Sequence, residues 1–96
     1  MELSKKQIHT LRTLAHSRKP VVTIGIAGLT DAVADEIEIA LGHHELIKIR
    51  INVQDREVRN SLARTISRRT GAELVQSIGH VATYFRQKPK DSNIRI

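Results

Sequence analysis

The stretch Val21-Val22-Thr23-Ile24-Gly25-Ile26-Ala27-Gly28-Leu29-Thr30-Asp31 sets the frame for the whole chain. Its β-branched start predicts a strand over Val21–Ile24, and the amphipathic pattern that begins at Asp31 predicts a helix, so both glycines fall in the turn between them. Glycine there permits positive φ and close approach of a ligand to the backbone. The first helical turn then offers unpaired N–H groups at the positive end of its dipole. Such a loop suits phosphates, either of a nucleotide cofactor or of an RNA or DNA backbone. The competing reading is a tight strand-to-helix turn in which glycine only relieves strain.

Outward from this stretch the elements follow one another. Ser4 and Gln7 have capping-box spacing, and Ile8, Leu11 and Ala15 form the apolar stripe of a first helix over 4–16, which Pro20 prevents from continuing. Thr30 can N-cap the second helix, whose inward face is Val33, Ile37, Ala40 and Leu41, and Gly42 closes it. From Leu46 to Val53, Ile47, Ile49, Ile51 and Val53 alternate with Lys48, Arg50 and Asn52. That is the pattern of a strand with one wet face, so the sheet is expected to be covered on one side only. Asp55 caps a third helix with Val58, Leu62 and Ile66 inward, stopped by Gly71. Leu74–Ile78 and Val81–Phe85 pair through Gly79-His80, which suits a type II′ turn. The predicted class is α/β, a single compact domain of order α-β-α-β-α-β-β with a mixed four-stranded sheet. Strand order is not encoded locally. Residues 87–96, with Pro89, Asp91, Ser92 and Asn93, read as a polar, flexible tail.

The 96 residues suffice for one domain with a modest core, and the absence of cysteine removes disulfide frameworks and thiolate sites, in agreement with a reducing, cytoplasmic setting. No apolar stretch reads as an export signal or a membrane span. The net charge of +6 is segregated. Asp31, Asp35, Glu36, Glu38 and Glu45 fall in a segment without Lys or Arg, whereas 1–30 and 46–72 are strongly basic. Segregation of this kind predicts a molecule with one positive side and favours a nucleic-acid partner over charge kept for solubility.

Nucleotide-enzyme motifs fail on their spacing. A P-loop needs four residues between its glycines and a following Lys-Ser/Thr, and a dinucleotide fingerprint needs a third glycine. His43 and His44 are adjacent and cannot converge as i, i+4 metal ligands, so they read as helix-terminal charges; no metal and no cofactor is expected. No carboxylate or serine has catalytic context, so no enzyme activity is expected. Lys5, His9, Arg12 and His16 form one stripe of the first helix, a basic ridge continued by Arg18 and Lys19. Arg64 and Arg68, and separately Lys48 and Arg50, fit either second contact surfaces or solubilising charge. With Tyr84 and Phe85 as the only aromatics, recognition is expected to rest on backbone charge and shape rather than on stacked bases.

Leu3-Ser4-Lys5-Lys6-Gln7, Lys19-Pro20-Val21-Val22, Gly25-Ile26-Ala27-Gly28-Leu29-Thr30, His43-His44-Glu45-Leu46-Ile47-Lys48, and Thr70-Gly71-Ala72 ahead of Ile78-Gly79 jointly resemble the YhbY family. These are stand-alone bacterial CRM domains, the module named for chloroplast RNA splicing and ribosome maturation. The resemblance covers about residues 2–86. It implies a fold similar to the C-terminal domain of translation initiation factor 3, and an RNA-binding protein associated with precursors of the large ribosomal subunit. It also implies that Gly25, Ile26, Ala27 and Gly28, with Thr30, form an RNA-contact loop. Many such loops carry a basic residue between the glycines. Here Ile26 and Ala27 are uncharged, so attraction must come from neighbours, for which Lys5, Arg12, Arg18 and Lys19 are the candidates. The expectation is therefore a non-catalytic RNA-binding domain over 1–86 that engages ribosomal RNA and assists large-subunit assembly. The alternative is a general translation or RNA-chaperone accessory without ribosome specificity.

Overall fold

The computed structural model describes residues 2–96; Met1, the first residue of the expected domain, lies outside the described residues. The elements are α1 (Lys5–Ala15), β1 (Pro20–Ile24), α2 (Asp31–His44), β2 (Leu46–Ile51), α3 (Arg56–Thr70), β3 (Glu73–Ile78) and β4 (Val81–Phe85). This is the expected order, and the strands form one mixed sheet arranged β1-β2-β4-β3. β1 and β2 run parallel with α2 as the crossover, while β4 is antiparallel to both β2 and β3.

Local chemistry sets most of the boundaries. The Ser4 hydroxyl accepts from the Gln7 N–H at 3.1 Å and the Gln7 amide oxygen accepts from the Ser4 N–H at 2.9 Å, closing the capping box. Asp55 Oδ1 accepts from the N–H groups of Glu57 and Val58 and starts α3. In the hairpin only Gly79 has positive φ, as a type II′ turn requires. The boundaries that depart furthest from the expectation are those of β2, which stops at Ile51 instead of Val53, and of α2, which runs through Gly42 to His44 and stops at Glu45, which takes φ of +62°. The glycine does not end the helix because the stop is made by tertiary bonds to Glu45.

Two apolar clusters flank the sheet. α2 and α3 cover one face, where Ile37, Leu41, Ala63 and Ile66 pack on Val22, Ile24, Ile47, Ile49, Ile51 and Tyr84. The buried Tyr84 hydroxyl donates to the Ala63 carbonyl at 2.7 Å, and burial pushes its pKa up. The other face was expected to be bare. Instead α1 covers one end of it, with Leu11 and Ala15 packed against the strand residues Leu46, Val75 and Phe85, which make an apolar patch at that end, and against Ile94 of the C-terminal segment. Only the remainder of this face is open.

The segment 87–96 is likewise not the frayed tail expected. Ile94 is buried in the α1 cluster, and the Glu45 carboxylate accepts from the N–H groups of Lys88, Asn93 and Ile94 and from the Ser92 hydroxyl. Ile94, with Ile96 packed against the same cluster, and one carboxylate tie a largely polar sequence down.

Candidate nucleic-acid interface

The glycine loop begins directly after β1. The Gly28 N–H donates to the Gly25 carbonyl at 3.0 Å, and neither Ile26 nor Ala27 has positive φ, which is the pattern of a type I turn. Gly28 follows at φ +75°, a conformation that side chains rarely adopt, while a Cβ there would meet no atom within 4 Å. Gly28 is thus required by the backbone, whereas Gly25 has no such requirement. The Thr30 hydroxyl oxygen accepts from the Val33 N–H and N-caps α2, leaving its proton free to donate. Among the described residues, the N–H groups of Ile26, Ala27 and Leu29 have no protein acceptor. They are the donors that the loop can present to an anion.

The candidate cations are distributed differently from the sequence reading. Lys19 and Gly25 stand at opposite ends of β1, about 20 Å apart at the rise of an extended strand. Arg18 is also at the far end, where its guanidinium donates to the carbonyls of Leu46 and His44 and so partly serves the fold. Neither residue flanks the loop. Arg12 remains exposed on α1, and its Nε donates to the Val75 carbonyl at 3.2 Å, which orients it over the sheet. Lys5 is exposed at the start of the same helix.

What the fold brings together is the α1 ridge and the wet strand face. His9, Arg12 and His16 line an open cleft of about 500 Å³ with Lys48, Gln76 and Ile78. Lys48, Gln76 and Ile78 also line an adjoining cleft with Arg50, Val81 and Thr83. The result is one trough across the uncovered half of the sheet. Lys48 is in register with Pro20 and Arg50 with Thr23, two residues ahead of Gly25. Positive charge therefore runs from α1 along β2 toward the loop, and Arg50 is the loop's neighbour that sequence proximity missed. Its signal was present in the alternation of Lys48 and Arg50, but not its destination.

Arg64 and Arg68 lie on the exposed side of α3, whose other side packs on the opposite face of the sheet. Tyr84 and Phe85 are both buried and offer no surface for stacking. No described helix is long and apolar enough to cross a membrane.

The model of the CRS1 / YhbY (CRM) domain family matches residues 3–86. A Haemophilus influenzae protein named as an RNA-binding protein is 48% identical over 84 residues, covering 88% of this chain and 85% of that one. A Pseudomonas aeruginosa protein named as a probable RNA-binding protein is 37% identical over 90 residues, covering 94% and 86%. The solution structure of a Staphylococcus aureus protein, described as hypothetical and as a candidate RNA binder, matches with a TM-score of 0.85 at 33% identity over 99% of both chains.

Proposed function

The chain belongs to the CRS1 / YhbY (CRM) domain family, and from that premise we propose that it is a non-catalytic, cytoplasmic factor that binds ribosomal RNA in large-subunit precursors and assists their assembly. The observation that carries the RNA reading is the trough itself. Arg12, Lys48 and Arg50, with His9 and His16, line an open strip that leads to a loop with unpaired N–H groups. Phosphates spaced along a strand suit such a strip: side-chain cations neutralise them, and the loop with the α2 N-terminus takes one more through its backbone. The uncharged Ile26 and Ala27 fit this division, because charge comes from the sheet and shape from the loop. The names of the family and of the relatives are those of RNA-binding proteins rather than enzymes, and the large-subunit partner is supported by the motif resemblance.

Sucrose-gradient fractionation of cell extract with immunodetection of the protein tests the proposal. Co-sedimentation with particles lighter than the mature large subunit and containing its RNA is the expected result. An even spread over free RNA and all ribosomal particles would favour the accessory without ribosome specificity.

A further inference from the structure

Beside the glycine loop lies a second cavity with a different character. It has a volume of about 520 Å³, and its walls include Ile26, Val58 and Leu62 with Asn52 and Gln54. Among the described residues, no Lys, Arg, Asp or Glu side chain lines it, so it is not built for phosphate. Ile26 is 100% exposed at the tip of the turn, and Val58, which the helical pattern of α3 points inward, is 46% exposed. Both apolar groups face solvent at this one place. Among the described residues, neither the Asn52 nor the Gln54 side-chain amide has a protein partner.

The wall that carries these amides is fixed. The Asn52 N–H donates to the Ile24 carbonyl at 2.8 Å, and Arg59 Nη1 donates to the carbonyls of Val53 and Gln54 at 2.9 and 2.7 Å. A cavity with apolar faces, two free amides and no charge, next to backbone donors suited to a phosphate, matches one component of RNA. We infer that it receives a single unpaired nucleobase, whose faces contact Ile26, Val58 and Leu62 and whose edge is read by Asn52 and Gln54. Amide side chains pair in two-bond fashion with an adenine edge, so adenine is the best-matched base. Aliphatic walls make the contact because the two aromatics are inside the protein. This inference rests on the RNA-binding reading and adds individual base recognition to a surface that otherwise senses only charge and shape.

The test uses two hairpin RNAs, one with a single bulged adenosine and one identical but fully paired. Wild-type protein is expected to bind the bulged RNA roughly fivefold more tightly, near the low end of what one base contact contributes. Val58→Ser and Asn52→Ala should each abolish that preference while leaving affinity for the paired RNA intact; both residues are exposed, and a melting curve checks that each variant is folded. Equal wild-type affinity for the two RNAs would overturn the base pocket and leave the RNA-binding reading standing. Binding to neither would overturn both. An equal loss for both RNAs in the variants would assign Val58 and Asn52 to general RNA contact and also overturn the pocket.

Discussion

At one end of β1 the chain turns through Gly25–Gly28 and leaves the N–H groups of Ile26, Ala27 and Leu29 without an acceptor among the described residues. At the other end, where α2 hands over to β2, Glu45 is fully buried, its carboxylate accepts four hydrogen bonds and its carbonyl accepts the Arg86 N–H. Both turns need positive φ, supplied by Gly28 at +75° and by Glu45 at +62°. Open donors cost little where water or a ligand can reach them, but a buried carboxylate must be saturated. A side chain at positive φ also costs about 1–2 kcal/mol, which the bonds to Glu45 have to offset. The loop end is therefore suited to binding and the Glu45 end to holding the fold together, and substitutions should separate the two properties.

The largest effect is expected at the Glu45 end. Glu45→Ala leaves the N–H groups of Lys88, Asn93 and Ile94 without their acceptor and frees the segment that carries Ile94 into the α1 cluster. Stability in a denaturant titration should fall by about 3 kcal/mol, with RNA affinity of the folded protein unchanged. Acid supplies a second readout. Burial pushes the Glu45 carboxyl up, but the bonds from Lys88, Ser92, Asn93 and Ile94 together pull it below its ordinary 4.5. The fold thus prefers the carboxylate, so its contribution is complete above pH 4.5 and is lost as the pH falls through the lower folded-state value. Wild type should lose stability on acidification through this window, and Glu45→Ala should lose less.

The loop end should respond the other way round. Gly28→Asp places a carboxylate among the open N–H groups, and RNA affinity should drop at least about tenfold, or roughly 1.4 kcal/mol. Its left-handed backbone should cost about 1 kcal/mol of stability, since Asp tolerates that region better than most residues. Gly25→Ala makes the contrast sharper. No positive φ and no neighbouring atom opposes a Cβ there, so melting should not move, and any loss of affinity reports crowding of the ligand alone. Unaltered RNA binding by a folded Gly28→Asp protein would reduce the loop to a structural turn.

The same contrast explains which features were legible in the sequence. The alternation of Ile47, Ile49 and Ile51 and the caps at Ser4, Thr30 and Asp55 are local signals, and the elements they predict form where expected. The end of α2 is not a local property. Gly42 looked like its stop, yet the helix ends at Glu45 through groups more than forty residues further on. Ile94 gives no periodic signal among polar neighbours, and its partners Leu46 and Phe85 come together only when β2 and β4 pair. For the candidate cations, nearness along the chain does not carry over to nearness in space. Lys19 precedes β1 and stands far from the loop, whereas Arg50 arrives beside it through the parallel register of β2 with β1.

The smallest effect, and the finest test of the trough, comes from single charges. Lys48→Ala and Arg50→Ala remove cations from the strip that leads to the loop, whereas Arg64→Ala and Arg68→Ala remove them from the exposed side of α3. All four change the net charge equally, so a diffuse electrostatic attraction would treat them alike. If about four to six phosphates lie along the trough, the log–log dependence of RNA affinity on salt should have a slope of roughly −3 to −6 in wild type. Each trough substitution should make that slope shallower by about one, while neither α3 substitution should change it. The comparison needs no assumption about folding, because Arg50, Arg64 and Arg68 are exposed and Lys48 is half-buried, and none of the four forms an ion pair among the described residues. A slope near zero in wild type would remove phosphate neutralisation as the source of affinity. Equal shifts from both pairs would mean that the whole basic surface attracts RNA, with the trough having no special part.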